Sequence, residues 1–203
     1  MNGFREEIKG IFRLNIPFED VYTSVFLIEH KQGNVLVDCA TTKDDVEGCI
    51  IPALGELGYE PADISALVIT HPHEDHAGGL EHFLGHAPSA KVVADVRKIF
   101  DGLMTYPLPG HTDDMLGVFD ARTGTLISGD GLQGAGVGKF RCNVPNVHAY
   151  LDTLRNIEAD GRIENILFSH SFEPWNEYGV FGRQNVIMCT RDCREIIKTK
   201  EKK

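Results

Sequence analysis

ITHPHEDHAGG, residues 69–79, sets His71, His73, Asp75 and His76 within six positions. With 9 histidines in 203 residues, the spacing His-x-His-x-Asp-His arises by chance roughly once in a thousand chains of this length and composition, so it calls for a mechanism. The apolar run ISALVIT (64–70) leads into it and reads as a strand buried on both faces. Pro72 disfavours helix at His71 and keeps it extended. Extended residues two apart point to the same side, so His71, His73 and Asp75 start on one face, and the turn brings His76 in from another direction. Six positions are too few to wrap four ligands round one ion, and two neighbouring ions are easier to reach. Gly78 and Gly79 then open a helix and, lacking side chains, let backbone come close to the site.

Further donors stand where other strands end. His111 lies in PLPGHT (107–112), a turn held by Pro109 and Gly110; Asp130 follows TLISG; His170 follows NILF. Functional groups in layered α/β proteins gather at such strand-to-loop junctions. Any one of these residues alone reads as a cap, a turn or a packed side chain. Their conjunction points to a metal site.

The rest of the sequence bounds the answer. A chain of 203 residues suits one domain, here 1–203. The net charge of −10 argues against nucleic acid as a partner. Five cysteines (Cys39, Cys49, Cys142, Cys189 and Cys193) contain no Cys-x-x-Cys pair, so a reducing cytoplasm is expected rather than a disulfide framework. MNGFREEIKGIF has no apolar signal region and no run is long enough to cross a membrane, so no membrane partner is expected. A homo-oligomer stays open.

Strand patterns at SVFLIEH (24–30) and GNVLVDCA (33–40) flank a hairpin turn at Lys31-Gln32-Gly33. A helix is expected over 44–58, kinked at Pro52 and stopped at Gly58. Further expectations are a short helix over 78–86, a strand at 90–96 and two strands within 115–130 around Thr123-Gly124. Beyond them come a glycine-rich loop at 131–140, a helix at 144–159, a buried strand at 163–170 and a last helix at about 183–200.

The ordered set His71-Pro-His73-Glu-Asp75-His76, Pro-Gly-His111-Thr, Gly-Asp130 and Ser-His170 resembles the metallo-β-lactamase superfamily, over about residues 20–175. The resemblance implies an α/β fold, a four-layer αββα sandwich with two sheets face to face and helices outside. It implies two divalent metal ions: His71, His73 and His111 on the first, Asp75, His76 and His170 on the second, and Asp130 bridging them. Asp38 resembles the family aspartate that orients ligands from behind, although a simple turn carboxylate reads equally well there. Nitrogen and oxygen donors suit zinc, and also iron or manganese.

Such a site would activate water as hydroxide near neutral pH, for attack on a carbonyl or phosphoryl centre. Asp75 would act catalytically by orienting the nucleophile or passing a proton to the leaving atom. The expected function is hydrolysis of a small ester, thioester, lactone or phosphoester. True β-lactamases of the superfamily generally carry cysteine at the position of Asp130, which argues against antibiotic hydrolysis. A glyoxalase II-like thioesterase would bring a C-terminal helical domain for which the stretch after His170 is short. Substrate contacts are expected from Tyr106, Arg141 and His148, with Gln133, Phe140, Phe172 and Trp175 nearby in sequence. The rival readings are a single-iron sulfur dioxygenase, a class the superfamily also contains, and a non-catalytic metal binder.

Overall fold

A computed structural model describes residues 3–19, 21–132, 144–171 and 178–200. The chain divides into two compact units, Met1–Ala94 and Asp95–Lys203. Each has its own mixed sheet and its own apolar core.

In the first unit β1 (Arg5–Ile8), β2 (Ile11–Phe18), β3 (Val21–Ile28) and β4 (Asn34–Val37) form an antiparallel meander. β5 (Ile64–Val68) and β6 (Lys91–Val93) continue it in parallel, giving the order β1-β2-β3-β4-β5-β6. The expected hairpin turn is present, with the Gly33 amide donating to the His30 carbonyl at 2.9 Å. The parallel step from β4 to β5 needs a crossover, and residues 43–56 supply it. Helix α1 (Lys43–Asp45) opens on a capping box between Thr42 and Asp45, a π turn runs from Val46 to Ile50, and α2 (Ile51–Glu56) follows. Pro52 cannot donate the amide hydrogen a continuous helix would use. The chain meets this by widening to a π turn just before the proline and carrying the helix on. Gly58, at φ 83°, ends the run as its sequence position suggests. Val46, Ile50, Ala53 and Leu54 face Leu27, Leu36 and Leu67 of the sheet in one buried cluster. α3 (Glu74–Ala77) and α4 (Leu80–His86) lie between β5 and β6.

The second unit begins with β7 (Lys98–Phe100), β8 (Leu103–Pro107), β9 (Leu116–Asp120) and β10 (Thr125–Ile127), all antiparallel neighbours. α5 (Val147–Ala159) then leads to β11 (Asn165–Leu167), which pairs parallel with β10. After the two-residue strand β12 (His170–Ser171), β13 (Gly179–Phe181) closes the order β13-β11-β10-β9-β8-β7, and α6 (Arg183–Lys200) ends the described chain. Phe119, Leu126, Ile166 and Phe168 of the sheet region pack with Tyr150, Leu154 and Ile157 of α5 and Val186 and Cys193 of α6. The helices at 147–159 and 183–200 match the sequence expectation closely. Arg183 ties them together by donating from its guanidinium to the carbonyls of Ile157, Glu158 and Ile163.

Four features were not read from the sequence, among them α3, which takes Asp75 and His76 into a helical turn where an extended run was expected at Asp75. The β1–β2 hairpin was passed over because Arg13, Asn15 and Pro17 break the apolar run of β2. The β7–β8 hairpin carries Asp101-Gly102 at its turn, a strong hairpin signal between short strands. β13 is only three residues long. The glycine-rich segment expected as a loop lies mostly outside the described residues.

Candidate metal centre

In the first unit the site grows from the ends of two parallel strands. Val37 of β4 stands opposite Val68 of β5, so Asp38, Thr70 and His71 emerge side by side at their carboxyl ends. Three backbone bonds lock the two loops: Asp38 N–H to Val68 O (2.8 Å), Cys39 N–H to His76 O (2.9 Å) and Gly79 N–H to Ala40 O (3.1 Å). Asp38 and Ala40 both hold left-handed backbone, at φ 62° and 56°. That conformation is costly for alanine and persists only where surroundings enforce it. The enforcing contact is close: a Cβ on Gly79 would stand 2.1 Å from the Cys39 carbonyl oxygen, and one on Gly78 2.2 Å from that of Thr41. The two glycines therefore admit the backbone of residues 39–41.

This packing aims the side chains. The fully buried Asp38 carboxylate accepts the Thr70 amide at Oδ1 (2.8 Å), and the Thr70 hydroxyl (2.8 Å) and His76 Nδ1 (2.7 Å) at Oδ2. A carboxylate acceptor makes His76 Nδ1 the protonated nitrogen and leaves the Nε2 lone pair available as a donor. The Thr70 hydroxyl has one proton and gives it to Asp38, so it accepts from His71 Nδ1 at 3.1 Å. His71 therefore also turns a basic Nε2 outward, 3.0 Å from His73 Nδ1. Donor atoms of His71 lie within 4.8 Å of those of His73 and of His76, and Asp75 and His76 are equally close. His71, Asp75 and His76 are buried, and His73 is exposed.

The second unit repeats the construction. Ile127 of β10 stands opposite Leu167 of β11 in parallel register. Three residues beyond each come Asp130 and His170, with His170 Nε2 3.1 Å from Asp130 Oδ1. His111 Nε2 lies 3.6 Å from the other oxygen, Oδ2. The carboxylate thus sits between two imidazoles, one facing each oxygen, as a ligand bridging two cations would. The His111 turn is clamped against α5: Thr153 donates to the Pro109 carbonyl at 2.8 Å, Asn146 N–H to Gly110 O at 3.2 Å, and a Cβ on Gly110 would stand 2.6 Å from that of Tyr150. The donor sets of both units, nitrogen and carboxylate oxygen on rigid buried supports, fit divalent metal ions.

Among solved structures, a metallo-β-lactamase family protein of Thermus thermophilus aligns over 97% of this chain and 82% of its own, with TM-score 0.74 and 16% identity. A metallo-β-lactamase of Erythrobacter litoralis aligns over 97% and 96%, with TM-score 0.73 and 18% identity. The chain has the metallo-β-lactamase fold. Its α/β architecture of two mixed sheets with helices is the sandwich expected from sequence. The kinship is also visible in sequence, since residues 19–100 match the metallo-β-lactamase superfamily. A hydroxyacylglutathione hydrolase of Methylobacillus flagellatus is 28% identical over 190 residues, 80% of this chain and 71% of that protein. One from Aeromonas hydrophila is 28% identical over 191 residues, 80% and 70%. One from Legionella pneumophila (strain Lens) is 24% identical over 157 residues, 64% and 61%. This metallo-β-lactamase-fold chain is thus similar in sequence to hydrolases and carries His/Asp clusters that could hold metal ions.

The expected substrate contacts fare differently. The Tyr106 hydroxyl reaches Asp160 at 3.4 Å and its ring packs edge-on to Phe119, at the border of the second unit's core. Burial first, then the Asp160 charge, raises its phenol above the usual range. His148 is exposed on the first turn of α5. Gln133, Phe140, Arg141, Phe172 and Trp175 lie outside the described residues. Among the described residues no helix is long and apolar enough to cross a membrane, and Cys39, Cys49 and Cys189 are free. Sequence reasoning missed Thr70 and Thr23. Thr70 directly precedes His71, and its adjacency to a candidate ligand is the one available signal. Thr23 gave none, being 52 residues from the Asp75 it contacts.

Proposed function

We propose that residues 1–203 act as one catalytic domain in which the two donor sets meet around two divalent ions, zinc first among them, to hydrolyse a small thioester. His71, His73 and His111 would hold one ion, Asp75, His76 and His170 the other, and Asp130 both. The observation that carries the reading is the pair of half-sites at the carboxyl ends of parallel strands, each with ring nitrogens already set for coordination. When bound, such ions act as Lewis acids and bring the pKa of water down to about 7. The chain's own groups do the rest. Asp38 and Thr70 hold the tautomers of His76 and His71. The Asp75 carboxylate orients the attacking water and carries a proton toward the leaving sulfur. The hydroxyacylglutathione hydrolases among the relatives favour a thioester over the ester, lactone and phosphoester alternatives. The odd, unpatterned cysteine set favours a reducing cytoplasm, and the relatives named above favour a small-molecule substrate.

Elemental analysis of the purified protein, followed by a panel of thioesters, esters, lactones and phosphoesters, tests this directly. Two ions per chain with thioester turnover is the expected result. Asp130→Ala should lose metal and activity together, and a fully loaded, fully active variant would refute the bridging role. One iron per chain with oxygen uptake in the presence of a persulfide would replace hydrolysis by the dioxygenase reading. Bound metal with no turnover on any substrate would leave a binder.

A further inference from the structure

Asp75 has the most demanding task of the donor residues, since its carboxylate serves both an ion and a proton. It sits in α3, a helix of four residues that His73 enters without a side-chain cap. The terminal torsion of an aspartate is broad, so the helix alone does not set how the carboxylate is turned. A second element also holds it. The Thr23 hydroxyl, on β3, donates to Asp75 Oδ2 at 3.1 Å. Thr23 is 1% exposed and Asp75 9%. β3 is paired to β2 along its whole length, with Thr23 opposite Ile16. A β-branched side chain on a paired strand has little χ1 freedom, so the hydroxyl is a fixed post. Asp75 Oδ2 also lies 3.3 Å from His76 Nε2. The carboxylate is thereby held from the strand side by Thr23 while the same oxygen lies beside His76.

We propose that Thr23 is the positioning residue for Asp75: its hydroxyl fixes the rotation of the carboxylate, and with it both the hold on the second ion and the direction of proton transfer. This rests on the dinuclear reading above. Partners of this kind are typically worth about 10- to 100-fold in metal affinity or activity.

The test compares wild type, Thr23→Val and Thr23→Ser, with Zn2+ affinity measured by chelator competition and folding monitored by thermal unfolding in chelator. Thr23→Val keeps the branched shape and removes the hydroxyl. It should bind one Zn2+ as wild type does and the second about 10- to 100-fold more weakly, with kcat on a thioester reduced and KM little changed. Thr23→Ser keeps the hydroxyl and should restore both. A Thr23→Val protein that holds two Zn2+ at wild-type affinity overturns the inference and leaves the dinuclear reading intact. So does a Thr23→Ser protein that loses the second ion as fully as Thr23→Val, because packing of the methyl group would then be the cause. If Thr23→Val does not fold, the Thr23→Ser measurement decides. A wild-type chain that takes up a single Zn2+ fails the dinuclear reading itself, and this inference falls with it.

Discussion

Replacing Asp38 by asparagine isolates the part of the site that is built before any metal arrives. Asparagine tolerates left-handed backbone, so the φ of 62° at this position does not confound the change. The carboxylate accepts three bonds in a fully buried setting, one at Oδ1 and two at Oδ2. An amide has one oxygen. Its better orientation keeps that oxygen toward the Thr70 hydroxyl and His76, which turns its NH2 toward the Thr70 amide and strands a buried backbone donor. Leaving such a donor unmet costs about 1–3 kcal/mol, and the two surviving bonds drop from charge-assisted to neutral strength at about 1 kcal/mol each. Burying a neutral amide is easier than burying a charge, which offsets part of the loss. The expected net destabilisation is about 2–4 kcal/mol, a large share of a typical domain's stability. Urea unfolding with chelator present measures it without any contribution from metal binding. Metal affinity should fall as well, by about 10- to 100-fold. A loss below about 0.5 kcal/mol, within the range of an ordinary surface substitution, would refute the three-bond account and return Asp38 to a plain turn carboxylate.

Gly79→Ala should cost about 3 kcal/mol or more, because the added methyl meets a carbonyl oxygen at 2.1 Å and Val46 Cγ2 at 2.8 Å; Gly85→Ala, inside α4 with nothing within 4 Å, should stabilise by about 0.5–1 kcal/mol. Thermal unfolding of the two metal-free variants checks the contrast, and equal effects would count against it. Cys39 should resist iodoacetamide at pH 8.5 in the folded protein and react on unfolding, because burial, and after it the charge of Asp38, pushes its thiol far above the usual range; peptide mass spectrometry showing rapid native labelling would overturn this. Asp160 is held below the ordinary carboxylate range, first by the Arg162 side chain. A depressed acid stabilises the fold above its unfolded pKa and loses that contribution as pH falls through the folded one. Arg162→Gln should therefore destabilise slightly at neutral pH, by less than about 1 kcal/mol for so exposed a guanidinium, and less in strong acid, where only the loss of its contact with the Phe119 ring remains; a deficit that does not shrink in acid would break the linkage.

What could be read in the sequence was whatever chemistry repeats over short distances. ISALVIT announces a buried strand because apolar positions dominate it, and 147–159 announces a helix because Leu151, Leu154 and their neighbours recur at helical spacing. The donors His71, His73, Asp75 and His76 are legible for the same reason: six positions contain them. His111, Asp130 and His170 are scattered, and they were found only because each stands at a strand-to-loop junction and because their order resembles a known superfamily.

The unread part is also physical. Thr70 and Thr23 are small, common residues with no pattern of their own, and each acquires a role only when folding sets a hydroxyl against a distant carboxylate. Parallel pairing is the step that makes such roles possible. The register Val37–Val68 sets Asp38 beside Thr70 and His71, and the register Ile127–Leu167 sets Asp130 and His170 at equal distance past their strands. A one-residue slip would turn every side chain of the strand to the opposite face. The donors of either half-site would then diverge even though the composition and motifs of the chain were unchanged. The donor residues state what each cluster could bind, and strand register, invisible to any motif, decides whether the donors within a unit converge.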